Sequence, residues 1–330
     1  MNKSFLLVLS IILSVIQDSL GDTSQSASDL WEAWKAKHNK YYPSMQERYR
    51  FIVFQENLNY VNSFNSQNND TKLGLNKFAD LTSSEFSKIY ASGAFQSPAK
   101  EANIAYNSHK PKNLPDTFDW RSFGGVTQVK DQGKCGGCWA FSAVGSLEGF
   151  YFINNKTLLS FSEQQIIDCV SGTDQGCDGG FPSDGINYAS KNGLELEIDY
   201  PFTAKDGNCN FNSAKAFSLN NILSYVTPNS SSHLKEAIVN GPVSVLVEAD
   251  QKAFQLYSKG VIKSGCGAQT NHAVLAVGYQ KVGLIEAFIV KNSWGADWGD
   301  QGYVYISTIE NENKGKGVCG ILSQPVMPSL

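Results

Sequence analysis

The stretch Gln132-Gly133-Lys134-Cys135-Gly136-Gly137-Cys138-Trp139-Ala140-Phe141-Ser142 sets two cysteines three positions apart behind a glycine-rich turn. From Cys138 to about Phe152 breakers are few, and apolar residues fall at Phe141, Val144, Leu147 and Tyr151. That spacing predicts a helix with Cys138 at its N-terminus. Unpaired backbone N–H groups and the positive end of the helix dipole favour a thiolate there, and the thiolate is the nucleophilic form of cysteine. The preceding glycines allow a tight turn and keep the sulfur accessible. A C-x-x-C also suits a thioredoxin-like redox pair or half of a zinc site. Zinc would need a second ligand pair, and no second C-x-x-C exists; a redox pair would expect a βαβ setting and few other cysteines.

A cysteine nucleophile needs a base, and the base needs a group to orient it. The chain has four histidines. His38 and His109 precede the cysteine-bearing part, and His233 lies in a polar stretch, Pro228 to Glu236, read as solvated. His272 opens an apolar strand after Asn271, where an imidazole is unusual; its plain reading is a core histidine with satisfied hydrogen bonds. Asn292, in the run Lys291-Asn292-Ser293-Trp294-Gly295, has an amide oxygen suited to accept an imidazole N–H, and Trp294 would shield that bond from water. Gln132 is either a surface glutamine in a loop or a side-chain amide donor for an oxyanion.

The chain must position these groups with 330 residues, 42% of them hydrophobic, enough for one or two domains plus processing segments. Net charge is -4 with no long basic block, which disfavours nucleic acid as a partner. All seven cysteines follow residue 134, and an odd number leaves one thiol over. If Cys138 stays free, spacing alone does not decide how the other six pair. No metal or cofactor set is expected.

Met1 to Gly21, with Lys3 ahead of an apolar run from Phe5 to Ile16, reads as a secretory signal too short to span a bilayer. Leu30 to Lys37 is a short amphipathic helix. Gln46 to Asn65 is a long one, with Phe51, Phe54, Leu58, Val61 and Phe64 on one face. Ser92 to Lys112 is a polar linker open to proteolysis. From Leu114 to about Asn220 the pattern is mainly helical. It includes Ser162 to Cys169, capped by Ser160 or Ser162, and a glycine loop from Gly176 to Pro182. From Ile222 strands dominate, notably Val243 to Val247, Ala273 to Val277, Ala287 to Val290 and Tyr303 to Ile306. That half reads as an antiparallel sheet or barrel-like domain. Asn69, Asn155 and Asn229 open N-x-[ST] sequons.

Cys135-Gly136-Gly137-Cys138-Trp139 resembles the local signature of papain-like cysteine proteases, with Gly137 where that family carries Ser or Ala. The run around Asn292 resembles the family's second signature. Gln46, Arg50, Phe54, Asn57, Val61 and Asn65 fall at the six positions of the cathepsin L-like propeptide helix motif. Gln46 replaces a glutamate, which implies a hydrogen bond in place of the family's first helix–helix ion pair. Gly74, Asn76, Phe78 and Asp80 fit the G-x-N-x-F-x-D motif of the same propeptides.

The resemblance implies an α+β, papain-like two-lobed fold: a helical lobe at roughly 123–220, an antiparallel β-barrel-like lobe at roughly 221–322, and chain ends that cross over. Residues 1–21 would be a signal peptide, 22–113 an inhibitory propeptide laid along the cleft, and 114–330 the mature domain. It implies a cysteine endopeptidase in which a Cys138 thiolate and a His272 imidazolium form an acyl-enzyme. Asn292 orients the ring, and the Cys138 N–H and Gln132 amide hold the oxyanion. The implied disulfides are Cys135–Cys177, Cys169–Cys209 and Cys266–Cys319. Gly179 and Gly180 would edge the substrate cleft beside Trp294. Phe181, Pro182, Leu246, Asn271, Ala273 and Gln324 would line a second pocket suited to an apolar side chain, with Asn271 replacing a frequent aspartate. With no adjacent histidine pair, an endopeptidase fits better than a cathepsin B-like dipeptidase. Implied partners are protein and peptide substrates, the chain's own propeptide and cystatin-like inhibitors. No membrane span remains after signal removal, and a monomer is expected, lysosomal, vacuolar or extracellular. A catalytically inactive homologue that binds peptides or inhibitors is the alternative; it would show a lost nucleophile, base or glutamine, and none is lost.

Overall fold

A computed structural model describes residues 26–91, 93, 113–172, 174 and 176–330. The signal segment, His109 and nearly all of the linker lie outside them. The helices are α1 (Ala27–Lys37), α2 (Ser44–Gln67), α3 (Ser83–Tyr90), α4 (Cys138–Asn155), α5 (Glu163–Cys169), α6 (Pro182–Asn192), α7 (Ser231–Asn240) and α8 (Lys252–Gln255). The strands are β1 (Thr71–Leu73), β2 (Phe118–Asp119), β3 (Ile222–Tyr225), β4 (Val243–Val247), β5 (Tyr257–Ile262), β6 (His272–Val282), β7 (Ile285–Lys291), β8 (Tyr303–Ser307) and β9 (Val326–Ser329). The chain packs as two compact units, 1–55 and 56–330.

In the first unit, α1 buries Trp31 and Trp34, which stack at 5.3 Å, and Phe54 of α2 packs on both. The two helices are joined by an ion pair, which corrects the expectation drawn from Gln46. Glu47 meets Lys35 at 2.5 Å and accepts from Trp31 Nε1 at 2.8 Å. A step of one residue turns a side chain by about 100° around the helix, so the carboxylate at 47 serves the neighbouring helix instead.

In the second unit, the predicted apolar face of α2 carries a polar member at its centre. Asn57 is wholly buried and donates to Ala79 O at 2.8 Å and Leu81 O at 3.0 Å, while Leu58 is only half-buried. Asn65 then clasps β1, donating to Leu73 O and accepting from its N–H, both at 2.9 Å. A capping box between Thr82 and Glu85 starts α3.

The strands join in the order β1-β5-β8-β7-β6-β4-β9-β3, with β2 on β6. The predicted runs fall in β4, β6, β7 and β8. One pairing departs from the antiparallel expectation: β5 and β8 run parallel. β6 and β8 are each antiparallel to β7 and so run alike, and β5 joins β8 in that same sense. The 263–271 loop must therefore carry the chain back before β6 starts. A second departure is α7, where a solvated polar stretch was expected. Ser230 caps this helix, and His233 is half-buried with Nδ1 at 2.8 Å from Ser230 Oγ.

The centre of the unit is α4, buried from Cys138 through Phe150. It packs against β6 and β4 on one side and against α6 and α5 on the other. Gly145 and Gly149, which read as mild helix breakers, are its closest approaches to its neighbours. An added Cβ would come within 2.8 Å of Leu275 and 2.5 Å of Pro242 respectively. Apolar clusters flank it, one built on Val243, Val245, Phe254, Phe288 and Val304, the other on Trp139, Val144, Leu147, Phe161 and Ile186. Phe118 and Trp120 join the first cluster and Val326 the second, so each end of this segment packs with the half remote from it in sequence.

Replacing Asn57 by Leu orphans two backbone carbonyls at about 1–3 kcal/mol each. The urea midpoint of the intact precursor is expected to fall accordingly; an unchanged midpoint would contradict this role.

Candidate active site

Cys138 is the first residue of α4, and Gly137 is its N-cap. Its Sγ is wholly buried and accepts the Ala273 N–H at 3.5 Å. His272, one residue earlier at the head of β6, is also wholly buried. Its Nε2 lies 2.7 Å from Asn292 Oδ1, which also accepts the Ser293 N–H at 2.8 Å. The second donor identifies that amide atom as oxygen, so Nε2 carries the imidazole hydrogen and Nδ1 the lone pair. Nδ1 is buried with no hydrogen-bond partner among the described residues. The Trp294 ring stacks over the imidazole at 4.5 Å and 24°. The β6–β7 ladder makes this possible: Leu275 pairs with Lys291, so Asn292 lies one step on, beside the face that His272 shares with Val274.

Gln132 is wholly buried in the loop before α4. Its Nε2 donates to Cys135 O at 3.0 Å, and its Oε1 accepts from Ser293 Oγ at 2.6 Å. The flip of the amide is thereby settled, and its second hydrogen remains for a ligand. Ser293 was missed in the sequence, where a serine between Asn292 and Trp294 carries no signal of its own.

Burial decides the charge state. It pushes the Cys138 thiol up to about 12, and the three backbone N–H groups near the sulfur offset this only in part. It pushes His272 down to about 4, against the hydrogen bond to Asn292. A helix N-terminus contributes about 0.3–2 kcal/mol, less than the several kcal/mol of desolvating an ion. The expected thiolate–imidazolium pair is therefore not the state favoured here. Burial favours the neutral form of each group, and the sulfur takes the Ala273 N–H.

Residues 74–91 and Gly93 supply the cover. Phe78, Phe86 and Tyr90 pack edge-on against Trp294 at 5.6, 5.1 and 6.4 Å. Asn76 donates to Gln255 O at 2.8 Å, and Gln255 Nε2 donates to Phe78 O and Leu81 O. Lys77 pairs with Asp131 at 2.6 Å and Asp297 at 3.3 Å, on the loops beside Gln132 and Trp294. Gly93 O accepts the Gly180 N–H at 3.1 Å, and Gly93 lies so close to Gly136 that no side chain would fit between them.

Similarity to known families decides between the readings left open for the C-x-x-C. A model described as papain family cysteine protease matches residues 114–329, and one described as cathepsin propeptide inhibitor domain matches residues 31–86. The chain belongs to the papain family of cysteine proteases. It is 38% identical over 321 residues to caricain of Carica papaya, covering 96% of this chain and 91% of that one. The structure of a recombinant stem bromelain precursor is similar with a TM-score of 0.83 at 33% identity, covering 92% of this chain and 99% of that one. A digestive procathepsin L2 proteinase from the Tenebrio molitor larval midgut is similar with a TM-score of 0.84 at 32% identity, covering 92% and 100%.

In this papain-family protease the three disulfides Cys135–Cys177, Cys169–Cys209 and Cys266–Cys319 are formed, and Cys138 is free and buried. Leu246 and Ala273 cluster with Cys138. Gly179 and Gly180 are buried, and Gly180 stands over Trp139 with no room for a Cβ. Phe181 is the N-cap of α6 and Pro182 its first residue. Asn271 is half-buried and uses its Oδ1 to accept the Ala249 N–H at 2.9 Å, a backbone-holding role the sequence did not suggest. Gln324 is half-buried in the turn before β9.

Behind the site lies a buried charge cluster that the sequence reading passed over. Lys130 pairs with Glu163 at 2.7 Å, Glu197 at 3.0 Å and Glu148 at 3.4 Å. Burial opposes the Lys130 charge, but Glu148 and Glu163 outweigh it and raise its pKa. Lys130, Glu148 and Glu163 line a cavity of about 20 Å³ with Lys291, Asn292 and Ser293. Glu148 inside an apolar helix and Lys291 closing an apolar strand were the available signals.

In the intact precursor, alkylation of Cys138 at pH 7 is expected to run at least about a hundredfold slower than in the urea-unfolded chain, because only thiolate reacts. Mass spectrometry at that peptide measures it. Equal rates would mean the sulfur is not desolvated.

Proposed function

We propose that Cys138, His272, Asn292 and Gln132 carry this protease's chemistry, with residues 22–113 as a removable inhibitor. The observation that supports it most is the placement of the one free thiol among the described residues against the residue following a histidine that Asn292 and Trp294 hold in one orientation.

Once water enters the cleft, desolvation weakens. Nδ1 of His272 takes the thiol proton, and the ion pair forms. The sulfur attacks a peptide carbonyl carbon, and the oxyanion is held by the Cys138 N–H and the free amide hydrogen of Gln132. His272 gives the proton to the departing amine. It then draws a proton from water, whose oxygen attacks the thioester and releases the acid, restoring the thiol. Leu246 and Ala273 beside the sulfur, with Phe181 across the glycine edge, favour an apolar side chain in the second pocket. We place the chain in the secretory pathway, with 1–21 as signal peptide and a mature monomer beginning near Leu114. Cystatin-like inhibitors are expected to fill the same cleft. Among the described residues no helix is long and apolar enough to cross a membrane.

Acid is the expected trigger, because Lys77 is tied to Asp131 and Asp297 and Lys263 to Asp70.

Purified precursor moved from pH 7 to pH 4.5 should gain activity on a fluorogenic peptide, and a thiol alkylator or Cys138→Ala should abolish it. Persistence of activity in Cys138→Ala sinks the assignment. Gln132→Ala is expected to lower kcat about 100- to 1,000-fold, the usual loss for one oxyanion donor. Lys77→Gln should speed processing at pH 7; identical processing rates would exclude the acid-trigger reading.

A further inference from the structure

The small cavity behind the site brings together polar atoms that the catalytic steps leave without a role. Asn292, Glu163 and Lys291 all line it and are only 3%, 2% and 8% exposed. Asn292 commits its Oδ1 to His272 and to the Ser293 N–H, while its Nδ2 is buried with no hydrogen-bond partner among the described residues. Glu163 gives its Oε1 to Lys130 at 2.7 Å, and its Oε2 is likewise buried with no donor among the described residues. Lys291 Nζ donates one hydrogen to Thr127 Oγ1 at 2.9 Å and has at least one more to give. Two donors and one acceptor in need of partners thus belong to residues around one space. Its volume of about 20 Å³ is room for a single water, which needs about 10–15 Å³ and two to four polar partners. A water can accept from Asn292 Nδ2 and Lys291 Nζ and donate to Glu163 Oε2, the usual number of bonds for a buried one.

We propose that this cavity binds one water that joins the Asn292 amide to Glu163 and Lys291, which makes Glu163 a positioning residue for the His272 ring. The proposal rests on the reading of Asn292 as the group that orients His272.

The other polar side chains around the cavity are already engaged. Glu148 accepts from Thr127 Oγ1 at 2.6 Å through Oε2 and from the Phe161 N–H at 3.1 Å through Oε1. Lys130 divides its hydrogens among Glu163, Glu197 and Phe161 O. Ser142 Oγ is held by Val274 O and Ser244, and Ser293 Oγ by Gln132. The water therefore has one set of partners, and leaving those buried atoms unpaired costs more than ordering one water.

The bridge acts on the site through the amide. A carboxylate that draws on the water's hydrogen strengthens the bond the water accepts from Nδ2, because hydrogen bonds in a chain polarise one another. More negative charge then rests on Oδ1, which meets the His272 Nε2–H at 2.7 Å. The imidazolium of the reaction gains most from this, so the effect falls on the chemical step rather than on substrate affinity. Burial raises the Glu163 pKa and Lys130 opposes this. The water's hydrogen on Oε2 sides with Lys130 in keeping the carboxylate charged.

The test uses the full chain. A crystal structure of precursor held intact by Cys138→Ala should show one water bonded to both Asn292 Nδ2 and Glu163 Oε2. A cavity without water, or a water bonded to only one of these atoms, overturns the proposal whether or not the chain hydrolyses peptides. In processed enzyme Glu163→Gln is expected to lower kcat about tenfold with KM unchanged. A glutamine that keeps its oxygen on Lys130 turns its NH2 toward the water, which then meets donors only. With Asn292→Ala already in place, the same Glu163→Gln change should lower kcat by less than about twofold. A purely structural role for Glu163 would give equal factors in the two backgrounds and sink the proposal. Should Glu163→Gln fail to fold, the crystal structure alone decides. Absence of peptidase activity although the water is bound would instead defeat the assignment of the catalytic groups.

Discussion

The contact on which the rest depends is between the head of a helix and the head of a strand. Cys138 Sγ sits against the Ala273 N–H, and His272 comes with it. α4 can reach β6 only because Gly145 and Gly149 let it approach Leu275 and Pro242. Ser142 then bonds Val274 O at 2.7 Å and Ser244 Oγ at 2.5 Å across the same junction. Two apolar cores on either side of α4 make the junction rigid, so a sulfur from one and an imidazole from the other are held to a fixed geometry.

Desolvation unites the inhibitory and catalytic sides of this fold. The aromatic cluster on Trp294 and the chain crossing at Gly93 do more than block access. They help to leave Cys138 and His272 in a medium where charge separation is unfavourable, with Nδ1 of His272 lacking a hydrogen-bond partner among the described residues. The hydrogen bonds from Asn76 and Gln255 and the Lys77 ion pairs hold that cover in place. Because the Lys77 ion pairs are part-exposed while the Asn76 and Gln255 hydrogen bonds and the aromatic contacts are buried, solvent conditions act on the ion pairs first.

The orientation of the site is maintained from behind by polar groups that do not react. Ser293 fixes the amide of Gln132 and, through its own N–H, the identity of the Asn292 oxygen. Next to it the Lys130 cluster is enclosed by α4, α5 and β7, and breaking one partner there would leave an uncompensated buried charge. Such networks constrain the relative placement of the elements that carry the site.

Local pattern reached a long way into this protein. The apolar spacing after Cys138, the run Val243 to Val247 and the cap at Ser162 each report on a few adjacent residues, and each appears in the structure as α4, β4 and α5. An odd cysteine and a histidine in an apolar strand stood out for the same reason, because their types are anomalous where they stand, and the structure brings Cys138 against the residue that follows His272. What the sequence did not hold was anything set by partners distant in the chain. The parallel β5–β8 pairing, the α7 helix in a polar segment, the commitment of Asn271 to Ala249 and the unpaired oxygen of Glu163 all arise from neighbours across the fold. So does the burial that disfavours charge on Cys138 and His272. The helix terminus that favours a thiolate is written in local sequence, but the burial that opposes it exists only once residues such as Leu246 and Ala273, more than 100 positions later in the chain, have packed on the sulfur.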